Sequence, residues 1–434
     1  MKSLIIKYEF VLEKICHFFS CPIIQILSFI LYKIIVDLIY FLYIGRMSDY
    51  GILISNTNII SGYFITVILA IFVVIYSKHT EPSSFIMIVI SMIYFVPITT
   101  YCSLGPGADA TFFYMAIYAI WISVLWILVP TIGIKNDNIE FSNIFYYVLF
   151  VIVAIITIYI SFRYTDFRIV TSLKNIYEIR AEAAEYDLPI VLSYFQQFSG
   201  IIIPMLILMS FYKKKYIFIF IGIILLIFNF SFAAQKSILF MGVLLIIGCI
   251  FWKQNMIYLI VPSGVVLGLL GLLEVVVSSH NYIISYFFRR QGFVLAQLSD
   301  EYYRFFYQNP SDLFRSTFIG KIGFDSPYNL QLSKVIGNNF SSQVINCNNG
   351  LLADVWAHLG VMGVIIMPFI LIVCFRLFDC CCNRLCAKYY IGLSFYSAVL
   401  FANTTWSTVL LSHGYFIMCI LFILFPRDER KKLK

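Results

Sequence analysis

From Pro22 to Phe425 the chain is a succession of apolar runs, each about twenty residues long, separated by polar or glycine-proline breaks. No other property limits its fold so tightly. A bilayer core about 30 Å thick takes about twenty residues of helix, and inside it each backbone N–H and C=O must find its partner within the segment. Twelve runs meet this description, at roughly 22–42, 59–76, 83–101, 110–130, 143–162, 188–211, 216–232, 237–252, 256–278, 351–375, 389–405 and 408–425. The 434 residues are 61% hydrophobic and 12% charged, where an average soluble domain has roughly 25% charged residues. The expected fold is therefore all-α: a polytopic integral membrane protein of about 12 transmembrane helices, with 1–434 forming one transmembrane domain.

The formal net charge of +8 does not point to nucleic acid, because the cations follow membrane topology. Lys213, Lys214 and Lys215 place the loop after the sixth run in the cytoplasm, by the preference of Lys and Arg for that side. Alternation then puts Lys78, Lys135, Lys253, Arg376, Arg384, Lys388 and the tail Arg427 to Lys434 there too. Both termini come out cytoplasmic, and the short loop Cys102 to Asp109, without Lys or Arg, falls outside.

Five of the eleven cysteines, Cys374, Cys380, Cys381, Cys382 and Cys386, gather at the cytoplasmic end of the tenth run, where thiols stay reduced. No second paired Cys or His half-site accompanies them, so neither a disulfide framework nor a metal centre is expected. The chain has no phosphate loop, dinucleotide fingerprint, His-Glu-x-x-His or nucleophile elbow, and no cofactor is called for. It also has no internal repeat of the kind that builds many transporters.

Four stretches and the single residue Lys236 break the apolar pattern. Residues 1–20 alternate Lys2, Lys7, Glu9, Glu13 and Lys14 with apolar side chains, as in an amphipathic helix lying on the cytoplasmic face. The first run holds Lys33 and Asp37 at i,i+4, where the two charges can neutralise one another. A first external loop, 163–187, carries four cations, and a helix from Asn175 to Tyr186 would set Tyr177 and Arg180 on one face. Lys236 stands at the outer boundary on a tight turn, where it can snorkel to headgroups or meet an anionic substrate. The fourth stretch is the large external loop 279–350. Loops so long are uncommon and usually functional or disordered, and its many tyrosines and phenylalanines argue for order.

That loop opens with Tyr286-Phe287-Phe288-Arg289-Arg290. A helix from Gly292 to Gln308 follows, expected on the outer surface of the bundle with Asp300 paired to Arg304, and Asn309-Pro310 ends it. Arg315, Lys321 and Lys334 lie in an irregular, glycine-rich continuation that closes on Asn346-Cys347-Asn348-Asn349-Gly350. The next run opens with Asp354 and His358 on adjoining turns. The loop is a modestly cationic vestibule beside the membrane. Guanidinium forks grip phosphate oxygens, and tyrosine faces with amide donors suit sugars, so a lipid diphosphate bearing a glycan is the natural ligand. Anchoring of the arginines to lipid headgroups is the competing reading.

In its plan of about a dozen spans with two enlarged periplasmic loops the chain resembles the O-antigen polymerases, which join oligosaccharide repeat units in Gram-negative bacteria. Locally the resemblance lies in Ile176-Tyr177-Glu178-Ile179-Arg180, in the aromatic entry to Arg289-Arg290 with Glu301-Tyr302-Tyr303, Asn309-Pro310 and Ser326-Pro327-Tyr328, and in Asn348-Asn349-Gly350 leading to Asp354 and Gly360-x-x-Gly363. It departs from the Arg-ten residues-Gly pattern of some members, since no Arg in either loop has a Gly eleven positions later. The resemblance implies a metal-independent glycosyltransferase of the bacterial inner membrane that moves a growing glycan from undecaprenyl diphosphate onto a fresh lipid-linked repeat unit. Its implied partners are that lipid-linked oligosaccharide, membrane lipid and a chain-length regulator protein. Arg180, Arg289, Arg290 and Asp354 are the expected catalytic residues, and Tyr177, Lys236, Arg304, Arg315, Lys334, Asn349 and Gly350 the expected substrate-binding ones. Glu178, Glu301 and Asp354 are candidates for the base. An O-antigen ligase, which should carry a histidine within its large loop, and a lipid-linked oligosaccharide flippase remain alternatives.

Overall fold

A computed structural model describes all residues except 1, 47–53, 55–57, 132, 134–142, 171–175, 279, 318–319, 321–322, 341–345 and 426–434. Lys135, Lys174, Lys321 and the tail Arg427 to Lys434 thus lie outside the described residues. The remainder is helical, with no strand among the described residues. In order the helices are α1 (Lys2–Phe19), α2 (Pro22–Leu42), α3 (Ile59–Ser77), α4 (Pro82–Leu104), α5 (Asp109–Leu128), α6 (Asn143–Thr165), α7 (Ile176–Glu185), α8 (Ile190–Tyr212), α9 (Tyr216–Ala233), α10 (Lys236–Phe251), α11 (Ile260–Ser278), α12 (Val294–Gln308), α13 (Leu332–Phe340), α14 (Leu352–His358), α15 (Gly363–Cys381), α16 (Ile391–Asn403), α17 (Trp406–Leu410) and α18 (Tyr415–Ile423).

Nine helical stretches among the described residues are long and apolar enough to cross a membrane: Pro22–Arg46, Ile59–Ser77, Pro82–Leu104, Asp109–Leu128, Ile144–Thr165, Ile190–Tyr212, Asn255–Ser278, Gly360–Cys381 and Trp406–Ile423. Three more apolar helices, Tyr216–Phe232, Ile238–Phe251 and Ile391–Asn403, are shorter. The chain is a multi-pass membrane protein.

Two expectations need correction. The run expected at 351–375 is broken after His358, where Gly360 takes a left-handed backbone at φ +56° that glycine adopts without strain. The span itself is Gly360–Cys381, and Asp354 and His358 stand before it on the separate short helix α14. The helix after the arginine pair begins at Val294, not Gly292, and buries one side while Arg304, Tyr307 and Gln308 stay exposed. Residues 295–300, Tyr302 and Phe306 are all buried.

The chain divides into two compact units: unit 1 comprises Met1–Pro130, Asn255–Arg376 and Ser397–Trp406, and unit 2 comprises Thr131–Gln254, Leu377–Tyr396 and Ser407–Lys434. In unit 1, α4 is the central helix, 94% of its apolar window being buried, and α2 packs on α3 and α11. A π turn at Ser91–Phe95 precedes Pro97, whose ring nitrogen cannot donate to the Ile93 carbonyl, and the widened turn absorbs that missing bond. Gly292 approaches the same place, since a Cβ on it would stand 2.9 Å from Pro97 Cγ. Lys33, with no exposed surface, pairs with Asp37 as its spacing implies. Thr100 completes the arrangement by accepting from Lys33 Nζ at 3.0 Å and donating to Asp37 Oδ1 at 2.7 Å. In unit 2, α9 packs against α6 and α8, and α10 against α8 and α9. There α7 docks by Ile176 on Phe230 and Ala234.

Candidate functional site

Polar chemistry in unit 1 concentrates between Ser278 and Gly360, outside the apolar spans. At the end of α11 the Glu274 carboxylate accepts the Ile283 N–H at 2.8 Å, fixing the turn by which the chain re-enters helix. The first part of that new helix, Ile284–Phe293, is wound as a π helix and runs unbroken into α12. Such wide turns are frequent at functional sites. Ile284, Phe288 and Phe293 bury one face of it, leaving Tyr286 and Phe287 exposed, Arg289 half-buried and Arg290 exposed. The arginine pair is therefore mounted on a rigid rod and not on a loose loop.

Farther along this rod, Asp300 and Arg304 pair at i,i+4, Arg304 Nε donating to Asp300 Oδ2 at 2.6 Å. Asp300 also accepts from the Ala108 N–H at 3.0 Å and Thr111 Oγ1 at 2.6 Å, while Arg304 Nη2 donates to the Pro106 carbonyl at 2.9 Å. Those bonds hold α12 against the turn between α4 and α5, which explains why the Asp300 side of the helix is buried. The neighbouring Glu301 carboxylate is half-buried and makes no hydrogen bond to a described residue. Burial, reinforced by Asp300 and offset by Arg304, pushes it above the ordinary carboxylate range.

Asn349 and Gly350 sit deeper. Asn349 Nδ2 donates to the Leu295 carbonyl at 3.0 Å and to Ser299 Oγ at 3.1 Å, and its Oδ1 accepts the Gly350 N–H at 2.9 Å. A Cβ on Gly350 would stand 2.1 Å from the Phe401 carbonyl oxygen, so no side chain fits. Both residues join α12 to the end of α16, and both are buried.

His358 occupies the junction between the loop and α14. Its Nδ1 lies 3.4 Å from Asp312 Oδ2 and its Nε2 4.0 Å from Asp354 Oδ1, with all three side chains at 2% exposure or less. Neither imidazole nitrogen makes a hydrogen bond among the described residues, and Phe314 stacks on the ring at 4.6 Å. Asp312 accepts from the Ser316 N–H at 2.8 Å, Ser316 Oγ at 2.7 Å and Ser326 Oγ at 2.6 Å. Burial pushes the Asp312 carboxyl up, but these bonds and His358 outweigh it and hold the group well below its usual range. Asp354 has less help: Oδ2 accepts the Trp406 N–H at 2.7 Å. Burial dominates and pushes it up to about 6, against the opposing effects of His358 and that N–H. Arg315, expected to bind substrate, donates through Nε to the Asp312 carbonyl at 2.8 Å and through Nη2 to the Ser311 carbonyl at 3.4 Å. Lys334 lies half-buried on α13.

The other expected residues belong to unit 2. Arg180, exposed on α7, donates through Nη2 to the Ala234 carbonyl at 3.3 Å. Ala234 itself caps α9 in a left-handed conformation, two residues before the exposed Lys236 that begins α10. Arg180 and Lys236 are thus brought to one corner. Tyr177 is on α7, and its side chain lies outside the described residues. Arg168 and Glu182 pair beside them at 2.6 Å.

The sequence assigns Asp312 no role, and it marks His358 only by its place one turn from Asp354. Asp312 looks like a turn residue until Ser326, fourteen positions on, folds back to it, whereas the i,i+4 spacing of Asp354 and His358 was a usable signal. Among the described residues no group of three or more His, Cys, Asp or Glu side chains is arranged to hold a metal ion. No protein-family model, curated protein or solved structure matches the chain.

Proposed function

We propose that the chain is an O-antigen polymerase, with twelve spans, both termini in the cytoplasm of a Gram-negative bacterium and the segment 279–350 at the periplasmic face of its inner membrane. The observation that carries this reading is the rod 284–308, which bears a cation pair at one end and, eleven residues on, the Glu301 carboxylate with no hydrogen bond to a described residue. At 1.5 Å per residue that is roughly 16 Å, the length of a few sugar rings. A lipid-linked acceptor held by its diphosphate at Arg289 and Arg290, with its tail in the bilayer, would run its glycan along the rod and bring its far sugar to Glu301.

In the reaction the acceptor hydroxyl oxygen bonds to the anomeric carbon of the growing glycan. The bond from that carbon to the diphosphate oxygen breaks, the electron pair leaves with undecaprenyl diphosphate, and the hydroxyl proton passes to a carboxylate. Glu301 suits this last step because its raised pKa brings it closer to working pH. Diphosphate is a good leaving group, and cations that hold it more tightly as charge develops lower the barrier.

His358 favours a second reading, an O-antigen ligase with lipid A core as acceptor, because it stands before the span Gly360–Cys381 and not within it. Cells lacking the protein separate the two. A polymerase defect leaves lipid A core with a single repeat unit on a gel, whereas a ligase defect leaves core with none. Arg289→Ala combined with Arg290→Ala should lower the yield of long chains about a hundredfold, as expected for loss of charge-assisted phosphate contacts. Normal chain length from an inserted double mutant would exclude the arginine site.

A further inference from the structure

Beside the Asp300–Arg304 pair four aromatic rings form a patch at the outward row of α12. Trp356 is its floor, 2% exposed, with Tyr303 and Tyr114 each 5.0 Å away between centroids. Tyr114 and Tyr303 stand 6.1 Å apart and Tyr303 and Tyr307 5.6 Å apart. Tyr307 is 72% exposed, while Tyr114 and Tyr303 are half-buried. A cluster made for packing would bury its rings and satisfy its polar atoms. Here the hydroxyls of Tyr114, Tyr303 and Tyr307 make no hydrogen bond to any described residue, and the buried Trp356 Nε1 has no partner either.

The polar groups around these rings narrow the ligand. Arg304 is half-exposed and already neutralised by Asp300. A free anion would meet a guanidinium committed to that carboxylate, and a lipid tail would leave the hydroxyls unpaired. A pyranose presents what the patch lacks: an apolar face of C–H groups for the rings and a rim of hydroxyls for tyrosine and guanidinium.

We propose that Tyr114, Tyr303 and Tyr307, with Arg304, form a subsite that holds sugar rings of the lipid-linked oligosaccharide, one ring lying against Tyr303 and Tyr307. The proposal rests on the polymerase reading for the identity of the glycan, and on the geometry of the patch for its place. It also gives the rod its third contact after the arginines, so that the diphosphate fixes one end of the substrate and stacking fixes the other.

The test uses the full chain purified in detergent and a fluorescently labelled oligosaccharide released, without lipid or diphosphate, from the surface polysaccharide of the producing cells. Binding is followed by fluorescence anisotropy. Wild type and the Arg289→Ala, Arg290→Ala double variant should bind alike, because the probe has no phosphate. Tyr307→Ala, at an exposed position that folding tolerates, should weaken binding about tenfold, and Tyr307→Phe should restore most of it. Unaltered affinity in Tyr307→Ala, or no binding by wild type, overturns the subsite. If Tyr307→Ala binds as wild type does while cells lacking the protein lose long chains, the patch is wrong and the polymerase reading survives. If Tyr307→Ala loses binding while those cells make normal chains, the sugar site stands and the polymerase reading falls.

Discussion

At the scale of single residues, Asp354 offers the clearest lever, because its carboxyl is buried with one N–H donor and an imidazole 4.0 Å away. Its folded pKa of about 6 lies above the ordinary value near 4. Below pH about 4 the group is protonated in both states and its contribution to stability is fully present; as pH rises through about 6 the folded protein must carry a buried charge and that contribution is lost. The difference corresponds to roughly 3 kcal/mol. Asp354→Asn keeps an oxygen for the Trp406 N–H and removes the titration, so the variant should melt higher than wild type at pH 8 and about equally at pH 4, measured by thermal unfolding in detergent. Equal melting at both pH values would show that the buried charge costs nothing. The sequence placed Asp354 in a span and named it for its carboxylate. Its burial beside His358 and Asp312 was not legible, since that depends on a loop residue more than forty positions upstream folding onto α14.

The elements carry a different lesson. Periodicity located nearly every helix, and turn chemistry stopped α12 after Gln308 as Asn309-Pro310 implies. What it missed was the environment. An amphipathic pattern with Asp300 and Arg304 reads as a surface helix, yet Asp300 faces inward because the Ala108 N–H and Thr111 supply it with partners. Likewise Asn349 and Gly350 read as substrate contacts and in the structure join α12 to the end of α16. Gly350→Ala is the corresponding experiment: its Cβ would press on two carbonyl oxygens, those of Phe401 and Thr404 at 2.1 and 2.6 Å. Backbone must move to relieve this, at a cost of about 2 kcal/mol or more. A melting temperature lowered by several degrees is expected, and an unchanged one would mean that α12 and α16 separate freely.

For the whole molecule, hydropathy and the placement of Lys and Arg yield the membrane class and an orientation, and the latter is open to direct measurement. A phosphatase fusion after Gly323 should be active and one after Lys215 inactive; the reverse would invert the topology. The division into two units was invisible in the sequence, because no linker, repeat or shift in composition marks it. Apolar surface is spread along all the spans, and which helices pair is decided by small residues at close contacts, such as Gly392 against the backbone of Leu245 in unit 2.

Unit 1 is discontinuous, and its last piece is the short stretch Ser397–Trp406. That piece supplies the Ala402 carbonyl to the Gly350 N–H and the Trp406 N–H to Asp354. During synthesis the chain emerges from its N-terminus, so the segment around Gly350 and Asp354 must wait, incompletely covered, until residues 397–406 have been made. A stop codon after Tyr396 should therefore expose the segment around Gly350 and Asp354, leaving a chain that the cell's membrane proteases recognise and remove.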